Sequence, residues 1–203
     1  KITDIRAVAS IAKKHELITI IDNTFASPVN QNPIDLGIDI VTHSGTKYIG
    51  GHNDICCGAV LTSKTLSAAI RNSAMHFGGS LDAHTCWLVE RSLKTIVLRV
   101  RQQNKNAQAI AEYLTGHSRI GKVYYPGLPA HPNHKVAKKQ MNNFGGMMSF
   151  TLKSDKMQDA VKFLEKVKIF ALAESLGGVE SLCGHPASMT HASIPKAERE
   201  KGG

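Results

Sequence analysis

The segment Ile38-Asp39-Ile40-Val41-Thr42-His43-Ser44-Gly45-Thr46-Lys47 decides how this chain is read. A short apolar run, Ile38 to Thr42, has the composition of a buried strand and ends in a polar, glycine-bearing turn. One step upstream the pattern repeats: a β-rich run, Leu17 to Ile21, closes on Asp22-Asn23-Thr24. One step downstream, Gly58 to Thr62 predicts a third strand, followed by a helix from about Ser63 to His76. Ahead of all three, Asp4 is placed to cap a helix that carries Ile5, Val8, Ile11 and Ala12 on one face. Strands alternating with helices, each strand an apolar run, predict an α/β fold with a mainly parallel sheet covered by helices on both faces. Polar residues then gather just beyond the strand ends, where open α/β sheets bind ligands.

The second half reads differently. A helical pattern runs from about Asp82 to Leu114, with Trp87, Leu88, Leu93, Ile96 and Val100 as core candidates, and Gly116 stops it. A strand at Val123–Tyr125, a Pro/Gly/His-rich loop and a helix from about Asn133 to Met141 follow. A strand at Met147–Leu152 and a helix at Met157–Val167 complete a smaller α+β unit. The expected division is residues 1–98 for part of a larger α/β domain and 99–203 for a truncated smaller one, joined by the long helix. Both ends read as cut, so the chain is expected to be an internal fragment.

Composition narrows the function. In 203 residues, 42% are hydrophobic and 20% charged, as in ordinary soluble domains. The net charge of +9 raises nucleic acid and anionic membranes as partners. However, the basic residues are interspersed with acids, and the cluster Lys135, Lys138 and Lys139 has no aromatic interleaving, so neither is expected. No signal peptide or membrane-spanning run is legible, which predicts a cytoplasmic protein. Cys56, Cys57, Cys86 and Cys183 fit neither a disulfide framework nor a zinc knuckle and read as buried or half-buried free thiols. His131-Pro132-Asn133-His134 lacks an acidic or thiol partner at ligand spacing, so no metal is expected.

The chemistry lies where two strands end. Asp22 alone reads as readily as a turn or helix cap. Some way downstream, however, Ser44, Thr46 and Lys47 present two hydroxyls and an amine on one glycine-bearing turn. The turn is not a nucleotide-binding P-loop, because Thr46 stands where that motif needs glycine before lysine. An amine, a carboxylate and hydroxyls together suit pyridoxal-5'-phosphate (PLP) chemistry. A lysine forms the Schiff base, an acid holds the pyridine nitrogen protonated, and hydroxyls with backbone amides hold the phosphate.

The run Asp39 to Asn53 resembles the PLP-attachment signature of the Cys/Met-metabolism (trans-sulfuration) enzymes. The resemblance continues through IDNTFASP (Ile21–Pro28), ERSLKT (Glu90–Thr95), YYPGLPAHP (Tyr124–Pro132), FGGMMSF (Phe144–Phe150) and AESLGGVESLCGHPASMTHASIP (Ala173–Pro195). It covers the whole chain in order. It implies an aspartate-aminotransferase-like fold of type I, PLP as cofactor and a homotetramer built as a dimer of dimers. It implies that Lys47 carries the cofactor and moves protons. Asp22 would pair with the pyridine nitrogen, Thr24 would lie against the ring substituents, and Ser44 and Thr46 would contact the phosphate. Ser175 would help bind the substrate carboxylate. Arg91-Ser92 departs from the family's usual Arg-Gly, which predicts a local difference in helix packing.

The resemblance also frames the reaction, which is elimination or replacement at Cβ or Cγ of sulfur amino acids. Glu174, next to Ser175, resembles the γ-lyase and γ-synthase branches. The expected activity is therefore cystathionine γ-lyase, giving cysteine, 2-oxobutyrate and ammonia. Cystathionine γ-synthase and then methionine γ-lyase stand as alternatives, and a non-catalytic remnant of the fold is the alternative from another class. The fragment by itself is expected to be inactive.

Overall fold

Asp4 accepts a hydrogen bond from the Ala7 amide at 3.1 Å, which caps α1 (Ile5–Lys14). The computed structural model describes residues 1–154 and 156–202. Within α1 the core face is narrower than the sequence suggests: Ile5, Ala9 and Ala12 are buried, while Val8 and Ile11 are exposed. Ile5 and Ala9 pack with Ile38 and Val41 in one apolar cluster, against which Ile21 and Leu36 also lie.

That cluster covers one face of a three-stranded sheet in the order β1 (Ile20–Asp22), β2 (Ile40–Ser44), β3 (Gly58–Thr62). β1 runs parallel to β2, with Ile21 opposite Val41 and Asp22 opposite Thr42. Side chains alternate across a sheet, so Ile21 and Val41 face α1, whereas Asp22, Thr42 and Ser44 face the other way. The expected mainly parallel sheet is thus half realised among the described residues, because β3 pairs antiparallel with β2. The residues between β2 and β3 turn back without a crossover helix, and a parallel return requires one. β1 lies at the sheet edge, so Leu17, Ile18 and Ile20 are exposed and Asp22 stands on an open strand end instead of a buried one.

Short α2 (Ser27–Asn30) follows β1, and α3 (Lys64–Phe77), capped by Ser63, follows β3. The single long helix expected next is two, α4 (Ala83–Leu93) and α5 (Ile96–Thr115). The break lies at Lys94-Thr95. There the buried Ser92 gives its carbonyl to the Thr95 amide and hydroxyl and to Arg99 Nη2, which pulls it out of the regular helical ladder. Of the expected core residues, Ile96 and Val100 are buried, Leu88 is half-buried, and Trp87 and Leu93 are exposed.

α5 joins the two halves. Its first turns pack Ile96 and Val100 against Tyr48 and Ile49, and its later turns pack Ala107 and Ala111 against Tyr125 and Leu128. Between them, Asn104 and Asn30 exchange two buried amide hydrogen bonds, at 2.8 and 3.0 Å, tying α5 to α2. Beyond α5, β4 (Ile120–Tyr124) pairs antiparallel with β5 (Ser149–Leu152), with α6 (His134–Gln140) between them. α7 (Met157–Lys166) leads to a two-stranded parallel pair, β6 (Ala171–Leu172) and β7 (Leu182–Cys183), and α8 (Lys196–Gly202) follows.

The thiols are free as expected, but Cys56 and Cys86 are exposed; only Cys57 and Cys183 are half-buried. His134 donates through Nδ1 to the Pro126 carbonyl and lies against Phe144, a packing role. Among the described residues no His, Cys, Asp or Glu group converges as a metal site, and no helix is long and apolar enough to cross a membrane.

Candidate functional site

Thr24 is the hub of the strand-end cluster. Its hydroxyl donates to Asp22 Oδ1 at 2.5 Å and accepts from the Ser44 amide at 2.7 Å. The Thr24 amide also donates to Asp22 Oδ1, at 2.9 Å. The ends of β1 and β2 are therefore locked together through one buried threonine, and Asp22 is aimed by two bonds on a single oxygen. Among the described residues no hydrogen bond reaches Asp22 Oδ2 or the Ser44 hydroxyl, so both remain open to a ligand.

His43, one residue before Ser44, alternates to the opposite face and is buried. Burial holds its imidazole below the ordinary value, with the nearby Asp22 charge offsetting part of that effect.

The turn after β2 is wound tightly. The Lys47 amide donates to Ser44 O, Gly50 N to Gly45 O and Gly51 N to Lys47 O. Thr46 faces Cys57: its hydroxyl accepts from the Cys57 amide at 3.0 Å and lies 3.4 Å from the Cys57 carbonyl. The Thr46 hydroxyl is thus engaged in closing the loop, unlike that of Ser44.

Lys47 reaches across to the second half of the chain. Its Nζ donates to Ser175 Oγ at 3.1 Å, and no carboxylate pairs with it among the described residues. This contact joins residues far apart in sequence. It is possible because Gly177 lies flat on the Lys47–Tyr48 peptide: its φ is +79°, and a Cβ there would come within 2.5 Å of the Tyr48 nitrogen. Val179 N donates to Gly51 O at 3.0 Å, Leu176 packs against the Tyr48–Val100 cluster, and Asn53 Nδ2 donates to Glu180. Glu174 is exposed beside Ser175. Two surface concavities, one along α7 and one over Tyr125 and Phe144, are not lined by Lys47.

A family model for the Cys/Met metabolism PLP-dependent enzymes matches residues 1–203. The chain belongs to that family. It is 52% identical over 205 residues to a cystathionine beta-lyase of Lactococcus lactis subsp. cremoris, covering 100% of this chain and 53% of that protein. It is similar to a solved cystathionine gamma synthase from Xanthomonas oryzae pv. oryzae in complex with aminoacrylate and cysteine. There the TM-score is 0.96 at 45% identity, over 100% of this chain and 52% of that one. It is also similar to the cystathionine gamma-lyase of Lactobacillus plantarum complexed with L-serine, with TM-score 0.95, 44% identity, and coverage of 100% and 53%. The chain thus spans about half the length of the relatives it matches. The fold is that of the family's PLP enzymes, represented here in part.

The donor set suits the family's cofactor. Among the described residues it comprises a primary amine free of any carboxylate partner, a carboxylate with one unused oxygen, and an unused hydroxyl on the same sheet face as that carboxylate. Three supporting residues lie outside the set expected to form the site. Arg99 donates to the carbonyls of Tyr48 and Ile49 just past Lys47, and Gln103 and Asn53 hold the turn that carries Ser175. All three act across long sequence separations, which local pattern does not encode.

Proposed function

We propose that this chain supplies the lysine-bearing part of a PLP site in an enzyme that breaks or makes carbon–sulfur bonds of sulfur amino acids. The observation that carries the reading is Lys47 Nζ, unpaired by any described carboxylate and held by Ser175 Oγ, on a turn packed between Asp22–Thr24–Ser44 and the 174–180 segment. PLP, when bound, supplies an electron sink for the carbanion formed by loss of the substrate α-proton. Lys47 would hold the cofactor and carry protons between the substrate carbons. Asp22, oriented by Thr24, would keep the pyridine nitrogen protonated through its free Oδ2. The free Ser44 hydroxyl would donate to the phosphate, and Thr46 would support that contact by fixing the turn against Cys57. Ser175 and Glu174 would meet the substrate.

Within that chemistry we propose γ-elimination of cystathionine, because an acid at Glu174 stands one residue from the group that holds Lys47. Relatives named beta-lyase, gamma-lyase and gamma-synthase all match nearly the full chain, which supports the shared carbon–sulfur chemistry and does not choose among them. Assembly as a homotetramer rests on the family resemblance. The test is covalent attachment. In the full-length protein, borohydride reduction should fix the cofactor to Lys47, and Lys47→Ala should abolish the adduct. An adduct persisting on another lysine would overturn the assignment.

A further inference from the structure

Gln103, on α5, makes an unusual bargain. Its Nε2 donates to two successive backbone carbonyls, Gly177 O at 3.3 Å and Gly178 O at 2.9 Å. Its Oε1 is buried and has no hydrogen-bond partner among the described residues. Turning the amide over would bring Oε1 against those two carbonyl oxygens, so the orientation is forced by its partners. Native proteins leave few buried polar atoms unsatisfied, because the atom loses water and gains nothing. Here the unsatisfied oxygen accompanies a bridge to the one turn that carries Ser175 to Lys47.

The surroundings leave that bridge little freedom. A Cβ at Gly146 would lie 3.3 Å from Gln103 Cβ and 3.2 Å from the Tyr48 hydroxyl, so the stem of Gln103 and the Tyr48 ring both press on Gly146. Gly177 rests on the Lys47–Tyr48 peptide, and Val179 bonds to Gly51. Gln103 therefore holds the turn through the Gly177 and Gly178 carbonyls while Gly177 rests on Lys47, two residues from Ser175.

We infer that Gln103 is a positioning residue: it holds the Gly177-Gly178 turn so that Ser175 Oγ meets Lys47 Nζ, and it does so at the expense of a buried unpaired oxygen. This rests on the proposed role of Lys47. It makes a distinctive claim, since a bond kept for stability and one kept for registration respond oppositely to an apolar replacement of the same length. Gln103→Met removes the bridge and the orphan oxygen together.

The experiment uses the full-length enzyme with PLP and four proteins: wild type, Gln103→Met, Ser175→Ala and the double variant. Gln103→Met should keep or raise the thermal midpoint, lower kcat/KM about tenfold, and shift the pH titration of the bound cofactor's visible band. Because Gln103 acts through Ser175, the double variant should fall within about twofold of Ser175→Ala alone. Effects that multiply independently would overturn the inference. So would an unchanged rate in Gln103→Met, or a variant that melts several degrees lower or fails to fold. Borohydride trapping at Lys47 in the same wild-type preparation separates the two failures. Loss of that adduct sinks the proposed function, whereas its presence with independent effects sinks only the role of Gln103.

Discussion

The two walls on either side of Lys47 are built in different ways. The strand-end wall, Asp22, Thr24 and Ser44, is locked by three hydrogen bonds centred on one buried threonine and anchored in strand register. The facing wall, residues 174–180, belongs to no long element. It lies between the two-residue strands β6 and β7, carries an exposed Glu174, and takes its position from Gln103, Asn53 and a glycine packed on the Lys47 peptide. The first wall is set by backbone geometry, and the second by side chains reaching in from elsewhere. In the proposed site the groups assigned to the cofactor would stay fixed while those assigned to the substrate could vary, which suits relatives that share one fold under three reaction names.

That contrast can be broken experimentally. If the first wall serves the proposed cofactor, Asp22→Asn should leave cofactor attachment intact, since the side-chain oxygen can still accept from Thr24. Turnover should fall about 100-fold or more, because the charge that keeps the ring nitrogen protonated is gone. Steady-state rates of the full-length variant decide the matter, and a wild-type rate would make Asp22 structural. On the second wall the expected effect is smaller. Glu174 is exposed, so solvent screens its charge, and Glu174→Ala should change the ratio of 2-oxobutyrate to pyruvate from cystathionine by about two- to fivefold. An unchanged ratio would remove Glu174 from reaction choice and with it the argument for γ-elimination.

The smallest effect concerns the rigidity of the first wall. Burial lowers the pKa of His43 from 6.5, so the folded state favours the neutral ring. The unfolded chain then binds more protons on acidification. The stability from this group is therefore complete above about pH 6.5 and lost as pH falls toward the lowered folded value. Thermal midpoints of the full-length protein should drop between neutral and mildly acidic pH, and His43→Gln should flatten that slope. Equal slopes would show that His43 titrates as freely folded as unfolded.

Much of the first wall was legible because it is local. Asp22 directly follows one apolar run and Ser44 lies just past another, and two parallel strands in register bring these ends to one edge of the sheet. The helix cap at Asp4 was legible for the same reason: its side chain bonds the Ala7 amide three residues on. Periodicity failed where a tertiary contact overrode it. A continuous helical pattern across residues 82–114 gave no warning of the break at Lys94-Thr95, which depends on the Ser92 carbonyl being drawn toward Arg99. Nor did apolar composition reveal that Trp87, Leu93 and Ile11 would be exposed.

The sequence by itself determined the first three strands, their polar ends and the family, since each rests on neighbouring residues or on a motif in fixed order. Only the tertiary structure decided that Thr24 joins Asp22 to Ser44, that the Thr46 hydroxyl turns to Cys57, and that Ser175 meets Lys47. Those contacts depend on how one surface settles on another. Gly177 can lie on the Lys47–Tyr48 peptide because it lacks a Cβ, and Gln103, on α5, reaches the same turn through its side-chain amide. Close approach of distant segments is a property of packing, and no local pattern of residues encodes it.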